Sequence, residues 1–190
     1  MLIRVYDAAA DLQRVCLNKD WRFCLIGGVA LLRWSDPRMT DAADITLFTD
    51  FGEEEKFVDG LMGAFAPRVS NAREVALRGR VLLLRHPNGV ALDVALGAFP
   101  FEQRTIERSS LWQATAQHEL RTCSAEDLVV HKAFASRGQD WVDIENVIQR
   151  QGKKLNVRLI LQELEPLAAL KEQPEIVDQL RSLLSKHLVG

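Results

Sequence analysis

The stretch Phe23–Phe48, FCLIGGVALLRWSDPRMTDAADITLF, decides the reading of this chain. Phe23 to Ile26 is a short apolar run that predicts a strand. Gly27-Gly28 ends it, and Val29 to Trp34 has helical content closed by Ser35-Asp36-Pro37. Asp44 to Phe48 is rich in β-formers and predicts a second strand, with Thr49-Asp50-Phe51-Gly52 as the turn after it. A glycine pair between strand and helix lets the backbone turn sharply and approach a phosphate, and the helix start offers N–H groups to the anion. A plain turn uses the same pair, so alone this signal is weak. Strand side chains alternate faces, so positions 42 and 44 project to one side while Asp41 and Asp44 project to opposite sides. Carboxylates at i and i+2 can clamp Mg²⁺ and so neutralise a triphosphate. Here position 42 is Ala42, which leaves Asp44 alone on that face. Asp41 and Asp44 also read as solvated charges at a strand end.

Outward from this stretch, Asp7 to Lys19 carries Ala8, Leu12, Val15 and Cys16 at helical spacing. Glu53 to Phe65 predicts an amphipathic helix with Phe57, Leu61 and Phe65 on one stripe. Val81 to Leu84 and Val90 to Leu96 predict two apolar strands around His86-Pro87-Asn88-Gly89, whose Asn-Gly pair is a hairpin signal. Asp93 lies inside the second of these strands, where an unpaired carboxylate is costly; a metal shared with Asp44 would compensate it, and so would a nearby arginine. From Ser124 the chain changes character. Ser124-Ala125-Glu126-Asp127 resembles a capping box, and helices are predicted at Ala125 to Ser136, Asp140 to Arg150, Val157 to Leu164 and Glu175 to His187, the last two punctuated by Pro166 and Pro174. The expected organisation is a head over 1–122 and a helical region over 123–190. On the first helix of that region Lys132 precedes Arg137, Asp140 and Asp143; these read either as a phosphate- or base-binding cluster or as an exposed helix with ordinary ion pairs.

The 190 residues suffice for one domain, or a catalytic domain with a helical extension. A net charge of -2 argues against a strongly basic nucleic-acid coat. One local stripe, Arg73, Arg78, Arg80 and Arg85, would suit RNA, and a solvated edge explains it better. Cys16, Cys24 and Cys123 lack CxxC spacing and read as reduced thiols of a cytoplasmic protein. His86, His118, His131 and His187 show no metal spacing, and neither a nucleophile elbow nor a P-loop occurs. The N-terminus lacks the apolar region of a signal peptide. No run approaches the ~18 apolar residues of a membrane span, so no membrane partner is expected.

Taken in order, these elements resemble the nucleotidyltransferase superfamily, most closely its AbiEii-like (DUF1814-type) bacterial branch. That branch has a Gly-Gly-x-Ala turn, an Arg-x-Thr-x-Asp-x-Asp strand and a Val-Asp-Val-like strand, then a Glu-Asp-Leu-x-x-x-Lys helix and an Arg-x-x-Asp-x-x-Asp element. The matching residues are Gly27, Gly28 and Ala30; Arg38, Thr40 and Asp44; Asp93; Glu126, Asp127, Leu128 and Lys132; and Arg137, Asp140 and Asp143. The resemblance implies an α+β fold, with a nucleotidyltransferase-like head of short mixed β-sheet flanked by helices and a C-terminal helical region packed on it. It implies transfer of a nucleoside monophosphate from an NTP to an acceptor (tRNA, other RNA or a protein hydroxyl) by a toxin that an antitoxin neutralises. Asp44 and Asp93 would bind Mg²⁺ or Mn²⁺, Gly27 and Gly28 the triphosphate, and Arg38, Thr40, Lys132, Arg137 and Asp140 the nucleotide. Ala42 departs from the pattern at its first Asp. That loss would remove a metal ligand and several kcal/mol of transition-state stabilisation, giving a disarmed enzyme or a nucleotide- or partner-binding module of the same fold.

Overall fold

The computed structural model describes residues 2–188. The chain divides into two compact units: one comprises the chain up to Val29 together with Met39–Cys123, the other Ala30–Arg38 together with the chain from Ser124 on.

In the first unit, α1 spans Leu2–Asn18, with Val5, Ala8, Ala9, Leu12 and Cys16 buried. It starts five residues before the expected Asp7, because Val5 extends the apolar stripe one turn toward the N-terminus. β1, Phe23–Ile26, runs without a break into α2, Gly27–Trp34. The two glycines are thus the first residues of the helix, not a separate turn. β2, Ala42–Phe48, begins two residues ahead of the expected Asp44, because Ala42 and Ala43 already pair with Ala91 and Leu92. α3 covers Glu54–Met62 and stops at Gly63, short of the expected Phe65, which is nevertheless buried.

β3 (Ala66–Pro67) and α4 (Ala72–Gly79) follow, then the expected hairpin of β4 (Val81–Arg85) and β5 (Ala91–Gly97). Gly89 sits at φ +91° in its turn. α5 (Pro100–Glu107) starts on a proline, and Glu102 accepts hydrogen bonds from the Ala98 and Phe99 amides at 2.8 and 2.9 Å. β6 (Ser110–Thr115) and β7 (His118–Thr122) form a second antiparallel pair.

Among the described residues the seven strands make one mixed sheet in the order β3-β4-β5-β2-β1-β7-β6. The β2–β5 and β1–β7 pairs are parallel and the rest antiparallel. One face of the sheet makes the core: Ala43, Ile45 and Leu47 of β2, Leu82 and Leu84 of β4, and Leu92, Val94 and Leu96 of β5 join Val5, Ala8 and Leu12 of α1 and Phe57, Val58 and Leu61 of α3. Two histidine–carboxylate bonds pin α1, His86 to Asp11 at 3.1 Å and His118 to Asp7 at 2.9 Å. His86 Nδ1 accepts from the Asn88 amide, which makes Nε2 the donor to Asp11. Cys16, Cys24 and Cys123 are buried free thiols, and burial pushes the Cys16 thiol up to about 12.

The second unit is helical: α6 (Ala125–Ala135), α7 (Gly138–Gln151), a 3₁₀ turn (Gly152–Lys154), α8 (Val157–Leu170) and α9 (Glu175–Leu188). Leu128, Val129 and Val130 of α6, Ile144 and Ile148 of α7, Ile160 and Leu164 of α8, and Leu180 of α9 are fully buried. α8 does not end near Pro166; the proline lies inside it and the helix continues to Leu170. The missing N–H removes one hydrogen bond, while Leu164 and Ala168, one turn apart around it, remain buried. The whole is an α+β fold, a mixed sheet with flanking helices followed by a helical region.

Ser124 caps α6 as its sequence suggests. Its Oγ accepts from the Asp127 amide at 3.0 Å and donates to the Asp127 carboxylate at 2.8 Å. Replacing Ser124 by Ala is expected to cost about 1 kcal/mol, read as a lower midpoint in urea unfolding; an unchanged midpoint would mean that the amide finds another acceptor.

Candidate functional site

One row of residues crosses the sheet at the end of β1. Ile26 is in register with Asp44, Asp44 with Asp93, and Asp93 with Leu83. Ala43, Ile45, Leu92 and Val94 fill the core face, so strand alternation turns Asp44 and Asp93 to the opposite face together. Neighbouring strands lie about 4.8 Å apart, which brings two carboxylates from different parts of the chain side by side.

The start of α2 meets the same spot. Gly28 N–H donates to Asp44 Oδ2 at 3.2 Å, so the positive end of the helix faces a carboxylate. Gly27 has φ +56°, and a Cβ there would come within 2.8 Å of Asp44 Cβ. A Cβ on Gly28 would lie 2.9 Å from Thr40 Cβ. Both positions therefore need glycine, the first for its backbone angle and both for close approach. Thr40 in turn donates from Oγ1 to the Ala42 carbonyl at 3.2 Å. Of the expected site residues, the first unit thus gathers Gly27, Gly28, Thr40, Ala42, Asp44 and Asp93. Asp41 lies outside β2 and is exposed.

Ala42 pairs with Ala91 two residues before Asp44 and presents a methyl group to the carboxylate face. No group of three or more His, Cys, Asp or Glu suited to a metal occurs among the described residues. Two adjacent carboxylates do fit a single hard divalent ion whose remaining positions go to phosphate oxygens and water.

Sequence reasoning missed Arg68. Its backbone N–H donates to the Leu83 carbonyl at 3.0 Å, which extends the Ile26–Asp44–Asp93–Leu83 row by one residue. Its guanidinium Nη2 is bonded to Asp93 Oδ1. The only signal in the sequence is the demand of Asp93 for a cation, which a metal or an arginine could answer; Arg68 lies in a segment with no predicted element.

The second unit gathers the other matching residues. Lys132 on α6 donates to Asp143 at 2.6 Å and to Asp140 at 3.2 Å, both on α7. Arg38 reaches Asp143 at 2.8 Å, Gln139 reaches it at 3.1 Å, and Arg137 reaches Asp140 at 2.7 Å. Asp143, Asp140 and Lys132 are buried. Burial alone would raise both aspartates, but hydrogen bonds and charge from Arg137 and Lys132 at Asp140, and from Arg38 and Lys132 at Asp143, hold them below the ordinary carboxylate value. Glu126 accepts from the Asn156 amide at 3.0 Å and braces the start of α8.

Three of the four arginines of the stripe are paired with carboxylates, while exposed Arg85 makes instead a 3.4 Å contact with the Gly89 carbonyl. Arg73 pairs with Asp59 and Glu55, Arg78 with Glu74 and Arg80 with Glu54.

With this geometry in hand, a family model described as the nucleotidyl transferase AbiEii toxin of a type IV toxin–antitoxin system matches residues 11–185. The chain belongs to the AbiEii nucleotidyltransferase family. No curated protein matches it by sequence. Among solved structures, the antibiotic-resistance factor ANT(2'')-Ia is similar with a TM-score of 0.57 at 14% identity, covering 90% of this chain and 97% of that one. A second ANT(2'')-Ia structure, in complex with adenylyl-2''-tobramycin, gives 0.51 at 15% identity with the same coverage. An antigenic nucleotidyltransferase-like protein from Paracoccidioides brasiliensis gives 0.51 at 17% identity, covering 97% and 93%. At these identities the likeness establishes the nucleotidyltransferase fold, which this AbiEii-family chain shares over nearly its whole length. No helix among its described residues is long and apolar enough to cross a membrane.

The buried ion pairs of the second unit have a measurable cost. Lys132→Met leaves Asp140 and Asp143 buried with fewer cations and is expected to destabilise the protein by about 3–5 kcal/mol in urea unfolding. Because both aspartates titrate below their unfolded value near 4, their stabilisation is present above that pH and is lost as pH falls further. Melting temperature should therefore drop more steeply below about pH 4 in the parent than in Asp143→Asn; parallel profiles would show that the fold leaves the Asp143 carboxyl at its unfolded value.

Proposed function

We propose that the protein is a nucleotidyltransferase that moves a nucleoside monophosphate from an NTP to an acceptor, either RNA such as tRNA or a protein hydroxyl, and releases pyrophosphate. In this reading it is the toxin of a bacterial toxin–antitoxin pair and acts in the cytoplasm. The observation that carries the proposal is the pairing of Asp44 with Asp93 on one sheet face, beside the helix start at Gly27-Gly28. The helix start offers amides that a triphosphate would engage in exchange for Asp44, which Gly28 N–H now holds. Thr40, fixed against Gly28, orders the approach to β2.

Asp44 and Asp93 would hold Mg²⁺ or Mn²⁺, which supplies charge neutralisation of the phosphates and activation of the attacking oxygen. The protein's part is to orient the NTP so that the acceptor oxygen meets the α-phosphorus in line with the departing pyrophosphate. For Arg38, Lys132, Arg137 and Asp140 we propose nucleotide contact on the family pattern alone.

Two features favour a second reading, a binding module of the same fold that has lost turnover: the methyl of Ala42 where the family pattern has a carboxylate, and the guanidinium already on Asp93. Labelled NTPs, Mg²⁺, total bacterial RNA and bacterial protein decide between them when the parent and Ala42→Asp are compared side by side. Transfer should rise at least ~100-fold with Ala42→Asp, as expected for restoring several kcal/mol of transition-state stabilisation. Bound NTP with no label transferred by either protein would leave the binding module.

A further inference from the structure

Asp93 and Asp44 carry two negative charges on a sheet face where the family pattern has three. The same face carries cations. In β4 the residues Leu82 and Leu84 point into the core, so Leu83 and Arg85 lie on the opposite face, that of Asp93. Arg85 is in register with Ala91, and Ala91 with Ala42. Arg85 therefore sits in the row in which the carboxylate is missing, between Ala91 and Ala66, while Arg68 ends the row of Asp44 and Asp93. These two arginines and two aspartates sum to zero formal charge.

Arg68 is built into this place. Its amide is fixed to Leu83, the register partner of Asp93, and its side chain is only 23% exposed. A guanidinium has five N–H donors. Asp93 engages one through Nη2, and Nε is buried with no hydrogen-bond partner. The terminal guanidinium donors that Asp93 leaves over suit a phosphate contact beside that carboxylate. Arg85, whose Nη1 makes a 3.4 Å contact with the Gly89 carbonyl, is exposed and can swing over the same face.

We propose that Arg68, assisted by Arg85, is a polyphosphate-binding cation of this site and supplies the positive charge that a second metal ion would otherwise bring. The inference deepens the phosphate-binding part of the function proposed above.

The probe is inorganic tripolyphosphate, which carries no base and isolates this contact. Its binding is measured by calorimetry in EDTA and then in Mg²⁺, for the parent chain and for Arg68→Met, Arg68→Lys and Asp93→Asn. The parent should bind in EDTA, Arg68→Met should weaken that binding at least ~10-fold, and Arg68→Lys, which keeps the charge but not the fork, should fall between them. Asp93→Asn should bind in EDTA no more weakly than the parent, because it releases Arg68 from its carboxylate; a pure metal site would show nothing in EDTA for any of them. Thermal melts check that each variant is folded, and if Arg68→Met is not, Arg68→Lys and Asp93→Asn carry the test. Binding that needs Mg²⁺ and ignores Arg68 would overturn this inference and leave the nucleotidyltransferase reading standing. Binding in EDTA that depends on Arg68 supports it even if the labelled-NTP assay shows no transfer. No binding in either condition would overturn both the inference and the phosphate-binding part of that reading.

Discussion

A register between two strands organises this site. Asp44 and Asp93 are 49 positions apart in the chain, and they become neighbours only because β2 and β5 run parallel with Asp44 opposite Asp93. That pairing is locked by the other face, where Ile45 and Leu47 of β2 and Leu92, Val94 and Leu96 of β5 are fully or almost fully buried against α1 and α3. A slip of β2 by one residue would carry Ile45 and Leu47 out of the core and Asp44 into it. The hydrophobic cost of misregister is thus what keeps two like charges side by side, and the cations and helix start around them make the arrangement tolerable.

The same logic explains which compensations the molecule uses. Asp44 is met by a backbone amide of α2, Asp93 by Arg68, and the buried aspartates of the second unit by Lys132, Arg38 and Arg137. A buried carboxylate without a partner would protonate or unfold its surroundings. Where a metal ligand would be expected at position 42, a methyl stands instead, and the local charge is balanced without it.

Much of this was legible beforehand. Strand alternation put positions 42 and 44 on one side, the Asn-Gly pair marked the β4–β5 hairpin, and Ser124 announced α6. The ordered motif series pointed to the nucleotidyltransferase fold and to the AbiEii family. What escaped had physical causes. β6 and β7 form a largely polar pair in which β6 has no buried residue, so no apolar periodicity betrayed them. α4 is eight residues long with only Ala72 and Ala76 buried, too short and too polar to stand out. Arg68 acts through a tertiary hydrogen bond that local pattern does not encode. Pro166 misled because a helix can absorb one missing amide when apolar residues on either side of it are buried.

The hydrogen bond from Gly28 N–H to Asp44 has a consequence for how the site responds to an anion. A helix start is usually pictured as an open receptor, with donors waiting in water. Here one donor already holds an internal acceptor, so an arriving phosphate must exchange with a carboxylate as well as displace solvent. The net gain is then the difference between two charge-assisted bonds, smaller than either. Under the proposed binding of a polyphosphate, such a site would be self-blocked at rest: weakly held anions would be filtered out, and occupancy would go to ligands whose several phosphates also engage neighbouring groups.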